Sequence, residues 1–187
     1  KVKCTWVVQD WDGIIPALLA SKYDVIVAGM NATDERRKRV DFTATYTKIP
    51  PAIIGPKAFS GATTPDALKG KSIGTQGSTI HANFLEQYYK GSDIKLFPTQ
   101  EEANLALSQG RVDFVIADKL ALGDFVEGKG KDCCKMIADI ARDPKIHGDG
   151  VGMAVRKEDT ALKDLLSKAI EEGIKDGTHE KARAKWF

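Results

Sequence analysis

Between positions 72 and 118, short apolar runs alternate with amphipathic runs, and glycine or proline marks most of the changes. Ser72-Ile73-Gly74-Thr75 and Ile94-Lys95-Leu96-Phe97 have the length and content of strands, and 112–117 (VDFVIA) is a third, read as buried. A helix is expected from Ser78 through Tyr89. Thr99 caps another through Gln109, with Glu102 at its third helical position as in a capping box. Asp118 opens one more. A β-α-β-α-β order of this spacing folds into a parallel sheet, because each crossover helix must carry the chain back across the sheet.

The flanks follow the same logic less regularly. Residues 2–8 have a strand pattern, and Asp12 is placed to cap a helix that tolerates Pro16 in its first turn. Tyr23 to Ala28 (YDVIVA) is a continuous apolar run, which marks a strand buried on both faces. Thr33-Asp34-Glu35-Arg36 is a capped helical turn, and extended stretches follow around Asp41-Phe42 and 52–55. Residues 59–64 are loop, and a helical turn at 65–68 ends at Gly70. Residues 148–155 are Gly-rich and then extended. The run 157–174 is amphipathic, with Leu162, Leu165, Leu166, Ala169 and Ile170 at helical spacing, and a short basic tail covers 181–187. The first block, with two strands and one good helix, is expected to leave a sheet incomplete. The chain also enters a strand pattern at Lys1 without a start methionine or signal peptide, so it is expected to be a mature or trimmed fragment whose true beginning lies upstream.

Composition narrows the function classes. The 187 residues are 42% hydrophobic and 29% charged, enough apolar content to bury a core. No run of about 18 apolar residues exists to span a membrane. The net charge of +2 is spread without a basic stripe, which argues against nucleic acid. Three cysteines, Cys4, Cys133 and Cys134, form no CxxC pair. The adjacent two are read as unlinked small side chains near a strand rather than a vicinal disulfide. His81, His147 and His179 lie far apart with no metal spacing. The Walker, GxGxxG, GxSxG and HExxH patterns are absent, so no cofactor, metal or catalytic residue is assigned.

Three segments are placed to bind a small ligand. At 28–36 an apolar run ends and the backbone turns out through Gly29, so free backbone groups at 29–31 and the Arg36 fork can hold a carboxylate. The alternative is a corner with a surface arginine. Gly74-Thr75-Gln76-Gly77-Ser78-Thr79 is a strand, a turn and a helix start, and helix N-termini attract anions. The alternative is a helix that Ser78 or Thr79 merely caps. Val115-Ile116-Ala117-Asp118 puts a carboxylate after a buried strand, where it can take an ammonium group or, alternatively, cap the next helix. Two anion grips and one cation grip complement an α-amino acid zwitterion. Trp11 adds an aromatic face for a side chain, unless it is a core residue.

The ordered motifs resemble a known family. Trp11-Asp12-Gly13-Ile14-Ile15-Pro16-Ala17-Leu18, Tyr23-Asp24, AGMNATDERRKRVDFT at 28–43, GKSIGTQGST at 70–79, GRVD at 110–113, GVGMAVRK at 150–157 and the ending Asp176-Gly177-Thr178 to Trp186-Phe187 are similar to periplasmic amino-acid-binding proteins of ABC importers. The likeness is greatest to the lysine/arginine/ornithine, histidine and opine binders. It implies the type II periplasmic-binding-protein fold: two α/β lobes, each a mostly parallel sheet with flanking helices, joined by two hinge strands and closing on the ligand. Lobe one is expected at 1–53 and 149–187, and lobe two at 54–148. The resemblance gives Arg36, with Asn31 and Thr79, to the ligand carboxylate, and Asp118 with the Gly29 backbone to its ammonium. Trp11 packs on the ligand side chain and Thr75 lines its pocket; Ala28, Met30 and Ser78 complete the ligand-binding set.

The resemblance also implies delivery of a polar L-amino acid, basic or opine-like, to a membrane permease, without catalysis and without nucleic acid. The chain is expected to be a monomer, or a domain-swapped dimer if the N-terminal loss is real. Cys4 matches a cysteine whose disulfide partner lies in the absent helix of such binders. Ala28, Gly29 and Asn31 stand where serines are common, and Ile80 stands where Gln is. An arogenate or prephenate dehydratase on the same fold and a sensor domain are the alternatives.

Overall fold

The computed structural model describes residues 3–186; Lys1 and Val2, where the first strand pattern begins, and Phe187 lie outside the described residues. In chain order a 3-10 turn (Trp11–Gly13) leads into α1 (Ile14–Leu19), α2 (Asp34–Arg37), β1 (Asp41–Phe42), β2 (Pro51–Pro56), β3 (Ser72–Gln76), α3 (Ile80–Tyr88), β4 (Asp93–Phe97) and α4 (Gln100–Ser108). There follow β5 (Phe114–Asp118), α5 (Lys119–Glu127), β6 (Cys134–Asp139), α6 (Pro144–His147), β7 (Ala154–Val155), α7 (Thr160–Lys175) and α8 (Thr178–Trp186). Two compact units result, 1–48 with 148–187, and 49–147. The expected lobe boundary after 53 falls inside β2.

The second unit is a five-stranded sheet in the order β4-β3-β5-β2-β6. The β-α-β-α-β segment pairs in parallel as its spacing requires, β3 lying between β4 and β5. β2 runs against both its neighbours, β5 and β6. Alternate residues of β5 face opposite layers: Phe114 and Ile116 pack with Ile80, Phe84 and Leu85 of α3, whereas Val115 and Ala117 pack with Ala103, Ala106 and Leu107 of α4 and Leu122 of α5. Helices on both faces explain why β5 is apolar at nearly every position. Thr99 caps α4 as its spacing predicts, its Oγ1 accepting from Glu102 N at 3.1 Å.

The first unit has a smaller core, in which Leu18, Ile26, Met30, Ala32, Val40, Phe42 and Ala154 pack together. Its only sheet among the described residues is the antiparallel pair β1–β7. Arg156 ties segments of the unit together: its guanidinium donates to the carbonyls of Leu18 and Tyr23 and reaches the carboxylates of Asp24 and Asp159.

Several expectations fail here. Residues 3–10 form no strand, and Trp6 and Val8 are 77% and 99% exposed; among the described residues no strand lies alongside to pair with them. Tyr23 to Ala28 makes a single bridge, Ile26 to Ala154, and Val27 and Ala28 are exposed; an apolar run becomes a strand only where a neighbour pairs along it. Asp12 caps nothing, since it lies inside the 3-10 turn that precedes α1. The helix expected from Ser78 starts two residues later, because Ser78 is left-handed (φ 55°) and Thr79 is the cap. Cys133 and Cys134 are joined as a vicinal disulfide, against the unlinked reading, and Cys4 is exposed and unpaired. The amphipathic helix α7 spans 160–175, yet none of its residues is fully buried.

Candidate functional site

On the first unit, Gly29 turns the chain out after the apolar run with φ +64°, a conformation that favours glycine. Ala28 and Gly29 are exposed, whereas Met30 and Asn31 are buried at 1% and 2% exposure. The buried pair is held by Gly152 N, which donates to Met30 O, and by the Asn31–Val151 bridge. α2 follows at once, its first turn capped by Thr33 Oγ1, which accepts from Arg36 N at 3.3 Å. The short helix projects Arg36 back toward the turn, where Nη1 donates to Asn31 O at 3.0 Å. The same guanidinium lies 5.2 Å from the Trp11 ring centroid. Trp11, Asn31 and Arg36 are thus gathered at one place, with a cation clamped in orientation and its planar fork half exposed.

On the second unit the carboxyl ends of the parallel strands β3 and β5 lie at one edge. Thr75 is fully buried and donates to Ile116 O at 2.9 Å, so its hydroxyl ties the two strands together. Thr79 accepts from Ala82 N and donates to Gln76 O, capping α3 and closing the turn. Ser78 is exposed beside it. Asp118 occupies the N-cap position of α5, yet its side chain makes no capping bond. The capping alternative therefore fails, and the carboxylate is 26% exposed at the strand end.

What surrounds Asp118 escaped the sequence reading. The Nε2 of His81 is 3.3 Å from Asp118 Oδ1, an ion-pair distance without hydrogen-bond geometry. Behind it lies His147, fully buried, its ring centroid 6.3 Å from that of His81. Burial holds the His147 imidazole below its ordinary range; the Asp143 backbone opposes this, and His81 and Arg142 add to it. Arg142 donates to Ile49 O at 2.9 Å and to His147 O at 3.0 Å. Burial lowers its pKa too, against the attraction of Asp118. The usable signal was positional: His81 falls in the first turn after the Thr79 cap, next to the end of a parallel strand. Among the described residues no group of three metal-ligating side chains is gathered, and no helix is long and apolar enough to cross a membrane.

An arginine fork thus stands on the first unit, and an uncapped carboxylate ends β5 of the second. Across residues 1–187 the chain matches the bacterial extracellular solute-binding proteins, family 3, and it belongs to that family. It is 35% identical over 191 residues to the lysine/arginine/ornithine-binding periplasmic protein of Escherichia coli (strain K12), covering 100% of this chain and 73% of that relative. An ancestral arginine-binding protein bound to arginine has the same fold at TM-score 0.90 and 36% identity, over 100% of this chain and 81% of the other. A more remote structure, an ancestral amino acid-binding protein that is a precursor of cyclohexadienyl dehydratase, aligns at TM-score 0.87 and 26% identity over 100% of this chain and 78% of its own. The fold is thus that of the type II periplasmic binding proteins, and the chain is a periplasmic solute-binding protein.

Proposed function

We propose that this chain captures an L-amino acid with a basic side chain and delivers it to the membrane permease of an ABC importer. Arg36, with Asn31 and Thr79, takes the ligand carboxylate; Asp118 and the Gly29 carbonyl take its ammonium. Trp11 packs on the side chain, and Ala28, Met30, Thr75 and Ser78 shape the surroundings. The observation that carries the reading is Asp118: a carboxylate at a strand end, partly exposed and not engaged in capping. The binding partners named for the relatives, lysine, arginine and ornithine, support the ligand class.

The test is calorimetric titration with L-arginine, L-lysine, L-ornithine, L-histidine and octopine, alongside agmatine, which lacks the carboxylate. Stoichiometric micromolar or tighter binding of one of the five is expected, with agmatine inert. Arg36→Ala and Asp118→Asn are each expected to weaken binding by about 2–4 kcal/mol, the scale for removing one partner of a hydrogen-bonded charge pair. Binding that survives both substitutions would sink the assignment. The reading includes no turnover: arogenate and prephenate incubated with the protein are expected back unchanged, and dehydrated product would favour the enzymatic alternative.

A further inference from the structure

The end of the second unit that carries Asp118 holds two buried imidazoles for which the zwitterion grip has no use. His81, in the first turn of α3, is 5% exposed and has its Nε2 3.3 Å from Asp118 Oδ1. That oxygen is buried without a hydrogen bond, and so is the other ring nitrogen, His81 Nδ1. His147 presents a third such atom, its Nε2, while its Nδ1 is engaged by the Asp143 backbone at 3.0 Å. Burying polar atoms unsatisfied is costly, so their concentration beside one carboxylate calls for an account.

The charged and titratable groups facing this cluster are few. Asp118 comes from the end of β5, and His147 from α6. Arg142 and Asp143 lie in the segment before α6. Lys119, next to Asp118, is turned to Asp139 at 2.7 Å. Arg142 already bears a fixed positive charge against His147, which opposes protonation of that ring. His81 is therefore the imidazole of the pair placed to answer to Asp118.

We propose that His81 is a positioning residue that gates Asp118. Neutral, it leaves the carboxylate charge to a ligand ammonium; protonated, it takes that charge for itself. Ligand capture then expels the imidazole proton, and ligand is held less tightly as pH falls. The inference rests on the assignment of Asp118 to the ammonium.

Two measurements test it. In the ligand-free protein the His81 imidazole is titrated by NMR. In Asp118→Asn it is expected to take up its proton at lower pH than in the wild type, because the stabilising charge is gone. Superimposable curves overturn the proposal with no ligand involved. L-arginine is then titrated by calorimetry between about pH 5.5 and 7.5, in buffers of different ionisation enthalpy. Wild-type affinity is expected to fall by about tenfold toward the acid end, with a buffer-dependent heat. His81→Gln, which keeps an N–H near the carboxylate but cannot titrate, is expected to bind well at pH 7.5 with a flat profile and a buffer-independent heat. His147→Phe is expected to keep the wild-type slope. A His81→Gln profile as steep as the wild type overturns the gate. Loss of binding in Asp118→Asn together with a flat wild-type profile overturns the gate alone. Undiminished binding by Asp118→Asn overturns the ammonium assignment, and the gate falls with it.

Discussion

At the residue scale the side chains divide by whether their hydrogen bonds close locally. Thr33, Thr79 and Thr99 each accept from an amide three residues on, and the first and last of these were legible because a capping pattern is contained in four consecutive letters. Asp113 is the opposite case. Its carboxylate accepts from both the amide and the hydroxyl of Ser72 at 2.8 Å, forty-one residues away, and so fastens the starts of β3 and β5. Burial pushes this carboxyl up, but the two Ser72 hydrogen bonds and the charge of Lys71 outweigh it and hold it below the ordinary range. Because the folded value is depressed, the stabilisation is present above the ordinary carboxylate pKa near 4 and is lost as pH falls below it. Asp113→Asn is expected to flatten the acid limb of the stability curve below about pH 4, and to lower stability at neutral pH by roughly 1–3 kcal/mol. Urea unfolding at several pH values measures both effects; an unchanged acid limb would refute the assignment.

At the scale of elements, pattern alone did not decide what becomes a strand. Tyr23 to Ala28 is as apolar as β5, yet β5 has β3 and β2 on its two sides and the earlier run has one bridge. The segment is kept in place instead by Arg156, whose side chain is only 12% exposed. It binds the α1 carboxyl end through Leu18 O at 3.2 Å, Tyr23 O at 2.8 Å and Asp24 at 3.0 Å. Arg156→Ala strands two carbonyls and is expected to cost about 2–4 kcal/mol. Arg156→Lys is expected to recover less than half of that loss, because a point charge cannot reproduce the planar fork. Thermal melts of the two variants would check this, and equal stability of Lys and wild type would refute it. Likewise α7 has the periodicity of a core-facing helix, but Leu165 is 62% exposed and Ile174 49%.

For the whole molecule, the two units differ in how much they bury. The sheet of the second unit carries a packed layer on each face, whereas the first has one small cluster and a two-stranded sheet. Local opening should follow that difference. Amides of β2, β3 and β5 are expected to exchange with solvent more slowly than those of β1 and β7, by about tenfold for each 1.4 kcal/mol of difference in opening energy. Native-state hydrogen exchange read residue by residue decides it; equal protection in both units would show that they open together.

The sequence by itself determined what depends on neighbours in the chain: the alternation that makes β3 through β5 a parallel sheet, the Thr99 cap, and Arg36 in the capped turn that Thr33 begins after Gly29. Its ordered motifs were enough to indicate the family. Only the tertiary structure decided what depends on residues far apart. It set β2 antiparallel between β5 and β6, refused partners to two strand-like runs, and bonded Cys133 to Cys134. It also left Asp118 uncapped beside His81, thirty-seven positions earlier. The physical reason is that helical periodicity and capping are satisfied within a turn of chain, whereas a strand or a buried charge is stabilised only by the group that folding brings against it.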